Sequence, residues 1–124
     1  MRMKEVIHMN VKECYTLMGG DYDEIMYLMR SEARIIKYLK RFKEDQTMQQ
    51  LTQALEQQDY DLAFRCAHTL KGVSVNLNMM NLATSSNQLT TALREQKKNV
   101  EDLYLAVKQD YDATIKAIDE LLSE

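Results

Sequence analysis

The chain of 124 residues contains no proline and only three glycines, Gly19, Gly20 and Gly72. Without proline, and with glycine so sparse, little in it can interrupt long helices. Three scattered glycines also cannot build a phosphate-cradling loop of the GxxxxGK[S/T] kind, which argues against ATP binding within the chain. No apolar run approaches the roughly 20 residues of a membrane span, and the N-terminus lacks the apolar stretch of a signal peptide. The expected setting is therefore a reducing cytoplasm. The two cysteines, Cys14 and Cys66, fall within amphipathic segments and are expected to pack as small apolar groups instead of pairing. Cys66 and the nearby His68 lie two residues apart, roughly 200° on a helix, and cannot share an ion there. No metal site is expected, and His8 reads as a surface residue. Charge of one sign is also missing: the formal net charge is −3. The basic group Lys37, Lys40, Arg41 and Lys43 sits among acids without aromatic interleaving. It reads as a solvated face and not as a nucleic-acid site.

What remains is dominated by Leu, Met, Ala, Gln, Glu and Lys, residues that lose little freedom in a helix. Nine methionines suit gap-filling between helices. Apolar spacing and capping residues predict one all-α domain over 1–124 with six helices. The first runs from about Lys4 to Met18, with Ile7, Val11, Cys14 and Met18 on one face, and stops at Gly19-Gly20. Asp21 with Glu24 forms a capping box that opens a second helix, extending to Phe42. Thr47 with Gln50 would open a short third. Asp59 caps a fourth that ends near Leu77, with Asn78 as its stop. Asn81 could cap a fifth and Asn99 a sixth. The second, fourth, fifth and sixth are long enough for an antiparallel four-helix bundle, with the one or two additional short helices flanking it. Neither a linker nor a repeat appears, and together with Met1 this favours a freestanding protein.

The segment Asp59–Leu77 carries the chemistry. On a helical wheel, Leu62, Ala63, Cys66, Ala67, Leu70, Val73, Ser74 and Leu77 form one continuous core stripe. His68 projects roughly 160° from Leu70, away from that stripe. Phe64 lies one turn before it, Gly72 one turn after, Val75 two turns after, and Lys71 is a little way round. A mid-helix glycine costs about 1 kcal/mol relative to alanine, and apolar residues on an outer face are equally unexpected. A reactive imidazole that must be reached by another protein accounts for all of these. Gly72 would leave room over the ring, Phe64 and Val75 would contact a partner, and Lys71 would place a cation near an added phosphate. Taken singly, each residue has a plainer explanation. A lone helical histidine is usually just exposed, a mid-helix glycine often marks close helix packing, and Phe64 could fold back on a neighbouring helix.

In combination, Ala67-His68-Thr69-Leu70-Lys71-Gly72 followed by Asn76-Leu77 resembles the signature of histidine-containing phosphotransfer (HPt) domains, A-H-x-L-K-G-x-x-x-N-L-G. The next position departs, with Asn78 for the usual glycine. The resemblance extends more weakly from Gly20 to Glu95, with Thr90 where many members have glutamate and a longer stretch around Lys40–Gln50. It implies a phosphoryl carrier of a bacterial two-component phosphorelay, not an enzyme. His68 would be the phospho-acceptor and Lys71 and Gly72 its supporting residues, with Phe64, Arg65 and Val75 at the partner surface. It further implies no cofactor of the chain's own, Mg²⁺ being supplied by the partner. The partners would be response-regulator receiver domains and a hybrid sensor histidine kinase, with no nucleic acid or membrane, and the protein would be a monomer.

Three other readings stand beside it. The phospho-accepting hairpin of a histidine kinase would carry an acidic residue after the histidine and a proline soon after; this chain has Thr69 and no proline. The phospho-accepting domain of a chemotaxis-type kinase shares the fold and much of the signature. A helical scaffold would use the Phe64/Val75 surface for binding, with His68 incidental.

Overall fold

The computed structural model describes residues 9–123. Among them are seven α-helices: α1 Val11–Leu17, α2 Tyr22–Met29, α3 Glu32–Glu44, α4 Thr47–Glu56, α5 Tyr60–Asn76, α6 Met80–Arg94 and α7 Glu101–Leu122. The central helix α5 packs between α4 and α6, and α6 packs in turn on α7. The connections between α4, α5, α6 and α7 are short, so successive neighbours run antiparallel. Thr52 of α4 and Tyr104 of α7 share a hydrogen bond of 2.8 Å across the remaining side of this bundle. Helices α1 and α3 lie against α7. One hydrophobic cluster draws residues from all seven helices, among them Cys14, Ile25, Ile35, Leu51, Leu70, Leu89 and Ile118.

The expected second helix is two. Arg30 takes a left-handed conformation (φ 74°) after α2, and Ser31 then caps α3 by accepting from the Arg34 N–H. Neither glycine nor proline marks this break. Ser31 is the one local signal, as a preferred N-cap type. Three expected caps also fall elsewhere. Thr47 is the first residue of α4, and its N–H donates to the Asp45 carboxylate at 2.7 Å. Asn81 lies inside α6, and Asn99 precedes Val100, the N-cap of α7, which makes no side-chain cap bond. The first helix begins at Val11 behind an Asn10–Glu13 capping box. The expected start at Lys4, with Ile7 and His8, lies outside the described residues.

Asp59 caps α5 as expected, accepting from the Leu62 N–H. The helix ends at Asn76, with Asn78 left-handed at φ 58°. The Asn78 and Met79 N–H groups return to the carbonyls of Val75 and Ser74, the bond pattern of a Schellman termination. Gly19 ends α1 by the same pattern at φ 70°, its N–H bonding to Thr16 and that of Gly20 to Tyr15.

These two turns lock together. The Tyr15 hydroxyl donates to the Leu77 carbonyl at 2.9 Å, the Asp21 N–H donates to the Asn78 carboxamide oxygen at 2.7 Å, and the Asn81 N–H donates to the Met18 carbonyl at 3.1 Å. The Asp21–Glu24 capping box is therefore half formed. The Asp21 side chain accepts from the Glu24 N–H, while its own N–H is engaged by Asn78. A Cβ on Gly20 would stand 2.1 Å from the Asn78 carbonyl oxygen and 2.9 Å from the Tyr15 ring, so only glycine permits this approach.

Candidate functional site

The inward face of α5 is the stripe expected for the core. Ala63, Cys66, Ala67, Leu70, Ser74 and Leu77 are buried, with Leu62 and Val73 half-buried at its margins. Ser74 keeps its hydroxyl satisfied by donating to the Leu70 carbonyl at 2.7 Å. The buried helix face leaves His68 on the opposite side, exposed together with Arg65, Thr69, Val75 and Asn76. Val75 is among the more exposed large apolar residues, at 45 %.

No hydrogen bond or ion pair engages the His68 imidazole among the described residues. The Phe64 ring lies nearly parallel to it (12° between planes) with centroids 6.0 Å apart. Phe64 is neither wholly free nor folded away. It is half-buried against the core, and the Arg94 guanidinium at the end of α6 sits 5.6 Å from its centroid. Arg94 escaped the sequence analysis. It lies thirty positions from Phe64 in the chain, and only the pairing of α5 with α6 brings them together.

One turn beyond His68, Gly72 is decisive by what surrounds it. Among the described residues, a Cβ built there meets nothing within 4 Å. Close helix packing, the usual reason for a mid-helix glycine, is therefore not why glycine stands here. Lys71 beside it is half-buried and takes part in no ion pair or hydrogen bond among the described residues. The constellation is an unpartnered imidazole, one stacked ring, a free ammonium and an open strip of backbone.

Among the described residues no group of three or more His, Cys, Asp or Glu side chains could hold an ion. The cysteines are free and buried. Burial, with the nearby Glu120 charge, pushes the Cys14 thiol from 9.0 to about 11, and burial is also the main cause of the upward shift at Cys66. Both are protonated near neutral pH and poor nucleophiles. No helix among the described residues is long and apolar enough to cross a membrane.

The described residues form an all-helical bundle whose central helix carries a solvent-facing histidine. The family model for the Hpt domain matches residues 37–124, and the chain belongs to that family. Its place is accordingly in two-component phosphotransfer, where Hpt domains serve as phosphocarrier modules. The match begins within α3 and takes in α7, whereas the signature-based resemblance faded beyond Glu95. No curated protein and no solved structure matches the chain. Two of the three departures from the family pattern have defined local settings. Asn78 supplies the carboxamide that holds Asp21, and Thr90 is buried, donating to the Ser86 carbonyl at 2.7 Å.

Proposed function

We propose that His68 is the phospho-accepting residue, taking a phosphoryl group from the aspartate of a receiver domain and passing it to the aspartate of another. The observation that carries this reading is the exposed, unpartnered imidazole beside a glycine with open space over it. A neutral imidazole is a competent nucleophile near pH 7. One ring nitrogen attacks the phosphorus of the aspartyl phosphate, forming an N–P bond as the P–O bond to the carboxylate breaks. The carboxylate leaves with that electron pair, and the proton on the other ring nitrogen stays in place. The second transfer reverses these roles with a new carboxylate.

Such a transfer depends on in-line positioning and charge neutralisation more than on covalent assistance. Lys71 offers one cation from this chain. The Mg²⁺ that receiver-type transfer requires would be held by the partner, in keeping with the lack of a donor cluster among the described residues. The bare strip at Gly72 admits the partner's phosphorylated loop, with Arg65 and Val75 as flanking contacts. In this scheme the chain is a carrier without an ATP site, working in the cytoplasm as a monomer between a hybrid sensor histidine kinase and a response regulator.

Purified protein incubated with phosphorylated receiver domains from the same organism should acquire acid-labile, base-stable label, and the His68→Gln protein should acquire none. A folded wild type that stays unlabelled by every receiver would sink the carrier reading and favour a scaffold. In a scaffold, Phe64→Asp would disrupt partner binding while His68→Gln would not.

A further inference from the structure

The start of α5, the end of α6 and the loop leading to α7 enclose an open groove one turn before His68. Tyr60, Phe64 and Leu93 supply its apolar surface, and Arg94, Lys97 and Lys98 its charge, with Asp61 the one acid along it. Gln96, left-handed at φ 61°, terminates α6 with the Lys97 N–H returning to the Ala92 carbonyl, and so fixes where the two lysines emerge. Two of the three cations rest on rings: Arg94 over Phe64 at 5.6 Å and the Lys98 ammonium 5.9 Å from the Tyr60 centroid. Neither is in an ion pair among the described residues, and Lys97 meets only the exposed Glu95 carboxylate, at 3.4 Å. The groove thus presents cations with unused pairing capacity on a chain whose net charge is −3.

We infer that this groove receives an acidic, apolar-tipped patch of the phosphorylated partner, next to its acyl phosphate. The inference rests on the phosphocarrier reading and deepens it. A partner bearing an acyl phosphate is anionic at its reactive end, and the chain's overall charge would repel an acidic surface. A local cationic strip beside the acceptor reverses that field where it counts. Attraction of this kind acts mainly on the encounter rate and weakens steeply with ionic strength. Phe64 and Tyr60 give the docked patch an apolar seat, and in docking the cations exchange a ring for a carboxylate.

The test is the second-order rate of transfer from a phosphorylated receiver, at low and high salt, for wild type, Arg94→Glu/Lys98→Glu and Asp61→Asn. All three should have the same helical circular dichroism. At low salt the double variant should be slower by about tenfold and Asp61→Asn faster by about twofold, with the differences closing at high salt and the rate at saturating receiver unchanged. A labelled wild type with both variants matching it, or a double variant slowed equally at both salts, would overturn this inference alone. A wild type that takes no label from any receiver would overturn the carrier reading and this inference with it.

Discussion

The three glycines divide between two regions that use the residue for opposite reasons. In the α1–α2 turn, Gly19 and Gly20 are crowded: added Cβ atoms would stand 2.2 Å from the Asn81 side chain and 2.1 Å from the Asn78 carbonyl oxygen. On the outer face of α5, Gly72 has nothing among the described residues within 4 Å of where its Cβ would be. The first two are required by the chain's own packing. The third lowers helix stability, and among the described residues no contact requires it. Crowding and vacancy thus separate a glycine that the fold requires from one that, under the function proposed above, leaves room for a partner.

The sharpest way to break this contrast is Gly20→Ala. The obstruction is backbone and cannot swing aside, so stability should fall by about 3 kcal/mol, read by chemical denaturation. A loss well under about 1 kcal/mol would mean that the two turns are not tightly docked. Next comes Asn78. Replacing it with alanine removes the acceptor for the Asp21 N–H and puts a left-handed strain on the new residue, at a cost of about 2 kcal/mol. Asn78→Gly, the family's usual residue, relieves the strain but not the lost acceptor, and should cost about half as much. Equal losses would show that the left-handed strain contributes little, and an unchanged glycine variant would show that the carboxamide bond does. The smallest effect is also the most telling, because its sign reverses. Gly72→Ala should raise stability by about 1 kcal/mol while slowing phosphoryl transfer. If stability rose and transfer were unchanged, the vacancy over Gly72 would have no functional meaning.

Local signals made the histidine helix legible in the sequence. Asp59 caps its start with a side chain that acts three residues on, Asn78 closes its end by taking the left-handed conformation, and its apolar stripe keeps helical period throughout. His68, Lys71 and Gly72 could be placed on or beside its outer face for the same reason. The break at Arg30-Ser31 could not be seen so readily, because Arg30 is a residue type that does not advertise the left-handed conformation it takes, and Ser31 is the only local signal. Asn81 and Asn99 are good capping residues that do not cap. Asn81 is occupied against Gly19 and Met18 of a distant turn, a demand no window of neighbouring residues can reveal. Arg94 and the lysines after it were invisible as parts of the site, since their meaning depends on which helix lies alongside Phe64.

The docking of the α1–α2 turn onto the end of α5 bears on how such a module should be delimited. The family match opens at residue 37, yet Tyr15, Met18 and Ile25 are core residues, and the hydroxyl of Tyr15 satisfies the buried carbonyl at the C-cap of the histidine helix. A chain cut at the family boundary would strip several fully buried side chains from the cluster and leave the Asn78 carboxamide without its donor. The segment that can be recognised by descent is thus shorter than the segment that must fold together. Heredity and cooperativity draw their borders in different places along this polypeptide.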